Sequence, residues 1–253
     1  MYLLYQFVAC FLLAAGFSAE ASPCSNGSPP ATNSTPSNVP LRILPLGNSI
    51  TWGYLSSDGN GYRLDLLNML TANGTQVQYI GSQQSGNMTD NYNEGHPGAV
   101  IDEIAQYAQA SLPDQPNLIL LMAGTNDMNN DNNTTTAPDR LGSLIDECHN
   151  ATMTEAGSAV IIVAQLTPAA NNATEERIQI FNAAIPGVVA EKVSVGMKVL
   201  SVDMEAYVTF NDLKDGLHPN DYGYNQMAKA WYAGVGEANG KGWFTAPVQL
   251  LGP

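Results

Sequence analysis

The most constraining feature of this sequence is a regular alternation of short apolar runs with longer segments whose apolar residues recur at helical spacing. Short apolar runs that end at glycine or polar residues indicate buried strands, and the segments between them indicate helices. Such alternation predicts a parallel sheet covered by helices on both faces. The predicted strands cover residues 41–46, 77–80, 118–122, 160–164 and 199–202, and the predicted helices cover 62–72, 98–110, 139–153, 175–193 and 222–235.

This order of elements predicts the α/β fold class, as a three-layer α/β/α sandwich around a five-stranded parallel sheet with right-handed crossovers. The chain has 253 residues, which is enough for one such domain with a single core. Within the helix predicted over 175–193, Pro186 and Gly187 are expected to bend or break the helix. The reason is that proline lacks a backbone donor and its ring crowds the preceding turn.

The charge balance of the chain restricts its partners. The formal net charge is −14 at pH 7, with nine Lys and Arg residues against 23 Asp and Glu residues. Binding to nucleic acid or to an anionic membrane surface needs clustered basic residues, and the sequence has no such cluster. A neutral substrate suits this surface better than a polyanion does, and we expect the protein to act as a monomer.

The first part of the chain has the pattern of a secretory signal followed by a linker. An apolar segment ends in Ala19-Glu20-Ala21, which predicts a signal peptide over 1–21 although no Lys or Arg precedes it. Residues 22–40 are rich in Ser, Thr, Asn and Pro, which predicts a flexible tail before a folded domain over 41–253. We expect a secreted, extracellular protein without a membrane anchor. The sequons that favour a glycoprotein begin at Asn26, Asn33, Asn73, Asn87, Asn132, Asn133, Asn150 and Asn172.

Two cysteines remain once the predicted signal peptide is removed. Cys24 and Cys148 would form an even pair in an oxidising compartment, and both a disulfide and two free thiols are open readings at this point. The sequence has no Cys-x-x-Cys pair and no His–Cys cluster of the zinc type. These patterns indicate no zinc site of these types, and we expect no cofactor.

A serine follows the first predicted strand at the point where ligands bind in open α/β sheets. The strand ends at Gly47, and Asn48 and Ser49 follow before the next helical pattern begins. Glycine adopts backbone angles that a side chain would forbid, so a tight turn there would expose the hydroxyl at the carboxyl end of the sheet. Ser49 is therefore a candidate nucleophile, although Gly-Asn-Ser is also a common turn sequence.

A serine nucleophile needs a base, and three histidines are available. His218 follows Asp215 by three residues with a glycine between them, so a short turn could direct the carboxylate to one ring nitrogen and leave the other for Ser49. The alternative is a capping Asp beside an incidental His. His149 lies in a predicted helix and is expected at the surface, and His96 lies in a loop beside proline and glycine.

Three groups could donate hydrogen bonds to an oxyanion. The side-chain amide of Asn126 follows the third predicted strand, the backbone N–H of Gly98 lies at the start of a predicted helix, and Ser49 can offer its own N–H. Preorganised donors of this kind stabilise the charge of a tetrahedral intermediate. The alternative for Asn126 is an ordinary turn asparagine.

Together these segments resemble the four blocks of the SGNH (GDSL-like) hydrolases, in the same order. The blocks are Gly47-Asn48-Ser49-Ile50-Thr51, Gly98, Gly124-Thr125-Asn126-Asp127 and Asp215-Gly216-Leu217-His218-Pro219-Asn220. The sequences Glu94-Gly95-His96-Pro97-Gly98 and His218-Pro219-Asn220-Asp221-Tyr222-Gly223-Tyr224 are most similar to family-3 carbohydrate esterases, which include acetylxylan esterases. The resemblance extends from about residue 41 to about residue 235.

The resemblance implies a flavodoxin-like sandwich and a serine esterase site. It implies Ser49 as nucleophile, His218 as base and Asp215 as the orienting acid. It further implies an oxyanion hole of Ser49, Gly98 and Asn126, and no metal cofactor for catalysis. The chain departs from the family pattern at Asn48, where the family usually has Asp, so the charge before the serine is lost while much of the hydrogen bonding is kept.

The predicted function is a secreted esterase that removes O-acetyl groups from a neutral polysaccharide such as xylan. Xylan as the substrate is implied by the family resemblance and not by any single residue. One alternative is an SGNH esterase or lipase that acts on lipid or aryl esters. An alternative of another class is an inactive, secreted, sugar-binding glycoprotein, because fold does not fix function. The predicted substrate contacts lie close in sequence to the catalytic blocks and are Trp52, Tyr54, Tyr92 and His96.

Overall fold

A central parallel sheet organises the protein, as the alternation of apolar runs predicts. The computed structural model describes residues 39–249. Six of the described strands run parallel: β2, β1, β5, β6 and β7 lie in that order, and β4 pairs with the carboxyl end of β1. The remaining strand, β3, is antiparallel to β4. The strands are β1 Leu41–Gly47, β2 Val77–Tyr79, β3 Gln83–Gln84, β4 Tyr92–Gly95, β5 Leu118–Met122, β6 Val160–Ala164 and β7 Val199–Val202.

Helices cover both faces of this sheet. The helices are α1 Ser49–Trp52, α2 Tyr62–Ala72, α3 Ile101–Ala108, α4 Thr125–Asn130, α5 Ala137–Ala151, α6 Asn172–Ser194 and α7 Asp221–Gly240, with short 3-10 turns at Leu112–Asp114, Thr134–Thr136 and Phe210–Asp212. One group of helices consists of α2 packed on α7, and the other consists of α3, α5 and α6 packed in succession. Every residue of β5 and of β6 is buried, as expected for strands with a helical layer on each side. The three-layer sandwich is confirmed.

The sheet has seven strands rather than the predicted five. The two additional strands, β3 and β4, are short and polar, and no apolar run marks them in the sequence. They form because β4 hydrogen-bonds beside the end of β1, where β2 no longer reaches: β2 pairs with residues 41–43 and β4 with residues 46–47. The short helices α1 and α4, which follow the carboxyl ends of β1 and β5, have no apolar periodicity in the sequence and were not predicted.

The predicted break in the helix over 175–193 is wrong. Helix α6 continues from Asn172 to Ser194 with Pro186 inside it. Proline at position 186 cannot donate to the carbonyl of Asn182 one turn earlier. The side chain of Gln165 supplies the missing donor, because its Nε2 lies 3.3 Å from the carbonyl oxygen of Asn182. A partner from outside the helix thus compensates the helix for its proline.

The register of the central strands brings their carboxyl ends to one edge. Gly47 pairs with Gly95 of β4 on one side and with Met122 of β5 on the other. A Cβ atom at Gly47 would collide with the carbonyl oxygen of Met122 and with Oγ1 of Thr51, so only glycine fits this turn. The segments that follow β1, β4 and β5 therefore start next to one another.

The predictions for the first part of the chain mostly lie outside the described residues. They are the signal peptide, nearly all of the tail, and Cys24 with its pairing, and they stay predictions. Cys148 is buried, and burial raises the pKa of its thiol to about 12, so the thiol would be protonated at neutral pH if it does not pair with Cys24. Over residues 39–249 no helix is long and apolar enough to cross a membrane.

Candidate active site

Ser49 is the first residue of α1, directly after the turn that closes β1. The side chain of Asn48 caps this helix, because its Oδ1 accepts a hydrogen bond from the backbone N–H of Ile50 at 3.1 Å. Ser49 is 6% exposed, so its hydroxyl is reached only from the rim of the sheet. The strand, the glycine turn and the capped helix thus fix the position of Oγ before any partner is considered.

The turn before α7 brings a histidine and a carboxylate to this hydroxyl. Oγ of Ser49 lies 2.8 Å from Nε2 of His218, and Nδ1 of the same ring lies 2.9 Å from Oδ2 of Asp215. The second carboxylate oxygen of Asp215 accepts hydrogen bonds from the backbone N–H groups of Leu217, at 3.0 Å, and His218, at 2.8 Å. The four residues form one hydrogen-bonded unit that ends at the serine.

The hydrogen bonds within this turn determine the charge state of Asp215. Burial by itself raises the pKa of the carboxyl, but hydrogen bonds from the backbone and ring of His218 and from the backbone of Leu217 outweigh it. The pKa of Asp215 is therefore below its ordinary value, and the residue is a carboxylate at neutral pH. A carboxylate at Nδ1 fixes the tautomer in which Nε2 can accept the proton of Ser49.

Two backbone N–H groups near Ser49 have no acceptor among the described residues. They belong to Ser49 itself and to Gly98, whose φ is +88° in an exposed turn between β4 and α3. The side chain of Asn126, in the first turn of α4, uses Nδ2 to donate to the carbonyl oxygen of Ala99 at 2.8 Å. Since an amide nitrogen has two hydrogens, this bond orients Asn126 and leaves one N–H to donate.

The buried carboxylate of Asp127 joins α4 to α5 by an ion pair and to the start of α3 by a hydrogen bond, and no sequence motif predicted these contacts. The carboxylate of Asp127 accepts from Nη1 of Arg140 at 2.7 Å and from the backbone N–H of Ile101 at 3.1 Å. Burial raises the pKa of the Asp127 carboxyl, and Arg140 offsets only part of that shift. The only signal in the sequence was that Asp127 follows Asn126 directly. The hydrogen bond from Ile101 ties α4, which carries Asn126, to the start of α3, which follows Gly98.

Asn48, where the resemblance leads one to expect Asp, is completely buried. Its Oδ1 caps α1, whereas its Nδ2 has no hydrogen-bond partner among the described residues. An aspartate at this position would bury a charge that one backbone N–H satisfies, and a buried charge with few partners is costly. Asparagine keeps the cap of the serine helix and avoids that charge.

Tyr54 and Trp52, two of the predicted substrate contacts, lie next to the serine segment. The ring of Tyr54 meets the ring of His218 edge to face, with centroids 4.8 Å apart, and 46% of this residue is exposed. Trp52 ends α1, and its carbonyl oxygen accepts hydrogen bonds from the side chains of Arg63 and Ser85. Tyr54 thus borders the hydroxyl and imidazole from the solvent side.

The other two predicted substrate contacts are placed differently. Tyr92 begins β4, whereas the candidate site lies beyond the other end of this strand, about 10 Å away at ~3.3 Å per residue. Its side chain lines a separate cavity together with Tyr79, Asp90 and Asp114. Tyr92 therefore lies at the end of β4 opposite to Ser49, because the intervening residues are extended, and its contact with substrate stays a prediction.

The fourth predicted contact, His96, is close to the site in the chain, but its ring makes contacts with the protein instead. Nε2 of His96 lies 2.5 Å from Oε1 of Glu94, and the ring stacks on Tyr107 of α3 with centroids 3.7 Å apart. His149, the remaining histidine, lies in α5 as the sequence predicts. Within residues 39–249 no three His, Cys, Asp or Glu side chains are grouped as ligands for a metal.

Comparisons with known proteins find similarity to esterases. A multidomain esterase from Ruminococcus flavefaciens is 27% identical over 218 residues, which cover 76% of this chain and 28% of that protein. The chain thus spans about a quarter of the length of this relative. A solved family 3 carbohydrate esterase from Clostridium thermocellum is 29% identical with a TM-score of 0.70, covering 79% of this chain and 98% of that chain.

An acetyl xylan esterase from Geobacillus stearothermophilus, solved as a single-residue variant, is similar in fold alone. Its TM-score is 0.60 at 16% identity, covering 78% of this chain and 95% of that chain. The model of the GDSL-like lipase/acylhydrolase family matches residues 46–226, from the end of β1 into α7. This match includes Ser49, Asn126 and His218 and extends over most of the chain, which therefore belongs to the GDSL-like lipase/acylhydrolase family.

Proposed function

We propose that this protein is a secreted serine carboxylesterase that removes O-acetyl groups from a neutral polysaccharide such as xylan. The single observation that best supports it is the hydrogen-bonded series of Ser49, His218 and Asp215, with distances of 2.8 and 2.9 Å. A nucleophile, a base and an orienting carboxylate within hydrogen-bond reach are the requirements of covalent acyl transfer.

The proposed reaction has two halves that use the same groups. Oγ of Ser49 attacks the acetyl carbonyl carbon while Nε2 of His218 takes its proton, and a tetrahedral oxyanion forms. The bond to the sugar oxygen then breaks, His218 returns the proton to that oxygen, and the acetyl group stays on Ser49. Water attacks the acetyl-enzyme in the second half, again with His218 as base, and acetate leaves.

The oxyanion of each half needs donors that are fixed in advance. The N–H groups of Ser49 and Gly98 have no acceptor among the described residues, and Asn126 is oriented by its bond to Ala99 with one N–H still available. Donors that do not have to reorganise stabilise the developing charge most effectively. In this proposal the three groups form the oxyanion hole.

The neutral polysaccharide follows from charge and from the relatives. Phosphorylated or sulfated polymers would be repelled by a chain with net charge −14. The similar solved proteins are named a family 3 carbohydrate esterase and an acetyl xylan esterase. Tyr54 at His218 is an exposed ring with a polar tip, which suits contact with a sugar.

One observation favours a second candidate, an esterase for longer acyl chains. A groove beside α4 is lined mainly by apolar side chains, among them Met128, Ile180 and Phe181. Met128 belongs to α4, the helix that also carries Asn126. Release of long-chain acids from lipid esters would favour this candidate over the polysaccharide esterase.

The test of the proposed chemistry is hydrolysis of p-nitrophenyl acetate and acetate release from acetylated xylan. Ser49→Ala and His218→Ala should each remove most of the activity, and the double variant should be scarcely worse, because the triad members act as a unit. Thermal unfolding of each variant controls for loss of fold. Full turnover by folded Ser49→Ala protein would refute the nucleophile, and an inactive wild type would favour the sugar-binding alternative.

A further inference from the structure

A buried carboxylate lies below the turn that contains Gly98. Glu94, on β4, is completely buried and accepts hydrogen bonds from four donors. The backbone N–H and Oγ of Ser82 donate at 2.9 and 2.7 Å, Oγ of Ser111 donates to Oε2, and Nε2 of His96 lies 2.5 Å from Oε1. A buried charge is tolerated only with this degree of satisfaction, so the position of Glu94 is tightly fixed.

His96 connects the fixed Glu94 side chain to the backbone that follows β4. Its ring is held between Glu94 and Tyr107, on which it stacks at 3.7 Å with an angle of 9° between the planes. Its backbone N–H donates to the carbonyl oxygen of Gly47 at 3.0 Å, and its carbonyl oxygen accepts from the N–H of Ala99 at 3.1 Å. Both the ring and the backbone of His96 are thus held in place. Gly47, which accepts the hydrogen bond from the His96 N–H, lies two residues before Ser49.

Gly98 has no side chain of its own to hold it in place. A Cβ atom built on Gly98 would have no neighbour within 4 Å, and the residue is exposed with φ at +88°. Its N–H direction is therefore set by the residues on either side. On one side that is His96, fixed by Glu94 and Tyr107, and on the other it is Ala99, whose carbonyl oxygen accepts from Asn126 at 2.8 Å.

We propose that Glu94, His96 and Tyr107 are positioning residues that aim the N–H of Gly98 at the oxyanion, and that His96 does not bind substrate. This inference rests on the proposed esterase function. In this arrangement the imidazole acts as a spacer between a buried carboxylate and an exposed turn. It takes no proton from the substrate and contributes only through the N–H donor that it aligns.

Loss of this alignment should change kcat and leave KM almost unchanged. An oxyanion donor acts on the charge that develops in the transition state, so a misaligned donor weakens transition-state binding more than ground-state binding. Removal of one donor costs on the order of 10²–10³ in kcat, and a donor that is present but mobile should cost about 10- to 100-fold.

The experiment compares kcat and KM of four variants on p-nitrophenyl acetate. His96→Leu removes the bond to Glu94, and His96→Gln restores a donor of similar reach, so His96→Gln should recover part of the kcat that His96→Leu loses. Tyr107→Leu removes the ring on which His96 stacks. Because Tyr107 is exposed, this variant should disturb the fold least, and it should lower kcat by a smaller factor than His96→Leu does. His149→Leu in α5 is the matched control and should keep wild-type kcat.

The outcomes distinguish a positioning role of His96 from direct contact with substrate and from no role in catalysis. A rise in KM with kcat unchanged would mean that His96 contacts substrate, and it would overturn the inference. Wild-type kcat in folded His96→Leu and Tyr107→Leu would also overturn it, and if His96→Leu does not fold, Tyr107→Leu alone decides. An inactive wild type would refute the proposed function and this inference with it, whereas an active wild type with unaffected variants refutes only the inference.

Discussion

Asp215 makes two kinds of hydrogen bond within one turn, and its substitution should therefore affect catalysis and stability separately. Asp215→Asn keeps an oxygen for the backbone N–H groups of Leu217 and His218 but removes the charge beside Nδ1. An amide can also present N–H to the ring and select the wrong tautomer. We expect kcat to fall by on the order of 10²–10⁴ with a small change in KM. A loss of less than about threefold in kcat would contradict the assigned role.

The pH dependence of the same residue has a defined sign. The folded-state pKa of Asp215 is lowered, and an unfolded Asp titrates near ~3.9. Its charge thus stabilises the fold fully above that unfolded value, and the contribution is lost as pH falls through the folded pKa. Denaturant midpoints of wild type and Asp215→Asn should differ at pH 6 and converge as the pH falls through the lowered folded-state pKa of Asp215. A difference that stays constant with pH would contradict this reading.

Asn126 is the residue that best isolates the oxyanion hole. Asn126→Ala removes one side-chain donor and the bond to Ala99, while α4 stays anchored by Asp127 and Arg140. We expect kcat to fall by on the order of 10²–10³ while KM stays nearly unchanged. Steady-state kinetics on p-nitrophenyl acetate measure both. A raised KM with unchanged kcat would make Asn126 a substrate-binding residue instead.

The sequence predicts the positions of some residues near the site better than those of others. Ser49 and His218 were predictable, because each follows a feature with local meaning: a strand that ends at glycine, and an Asp three residues before a His. Tyr92 lies farther from Ser49 than its place in the sequence suggests, because β4 is extended. The contacts of His96 with Glu94 and Tyr107 were not predictable, since a stack on a helix eleven residues away depends on the packing of α3.

At the scale of the element, α6 shows how a partner from outside a helix can offset a helix-breaking residue. Gln165→Leu should destabilise the fold by about 1–3 kcal/mol, because the carbonyl of Asn182 loses its donor and Pro186 cannot replace it. Urea unfolding with a constant m-value is the measurement.

A double-mutant cycle separates this effect from general loss of packing. Pro186→Ala restores the backbone N–H one turn after Asn182, so the cost of Gln165→Leu should largely disappear in the Pro186→Ala background. Equal costs of Gln165→Leu with and without the proline would show that the side chain stabilises the protein in some other way. Helices built from regular apolar spacing were predicted well, but this compensation was hidden, because Gln165 lies outside the helix at the end of β6.

At the scale of the whole molecule, the parallel order of five strands was predictable because buried strands are apolar on both faces. The polar strands β3 and β4 were not, since they depend on pairing with the free end of β1 rather than on their own composition. This difference matters for the site, because β4 is the strand that leads to Gly98. Of the three strands that lead into the proposed site, β1 and β5 were therefore predicted and β4 was not.

The exposed rings near the carboxyl ends of the strands indicate which substrates the protein should prefer. Tyr54 borders His218, and Tyr222 in the first turn of α7 is 62% exposed a few residues after it. Both rings are available to a sugar polymer, whereas an acetyl group needs little more than the oxyanion hole. Among aryl esters of rising acyl length, we expect the acetyl ester to have the highest kcat/KM. Each further CH₂ group should not add the ~0.8 kcal/mol of binding free energy that its burial in an apolar pocket would supply.

Three surface variants distinguish the polymer reading from the lipid reading. Tyr222→Ala should lower kcat/KM on acetylated xylan several-fold, about the 0.5–1.5 kcal/mol of one aromatic contact, and leave p-nitrophenyl acetate unchanged. Tyr92→Ala is the matched control, because Tyr92 is also exposed but lies at the far end of β4. Ile180→Ser, in the apolar groove beside α4, should affect neither substrate. A preference for octanoyl esters that Ile180→Ser abolishes, with no acetate released from xylan, would instead establish the groove as the acyl site and make this protein a lipid esterase.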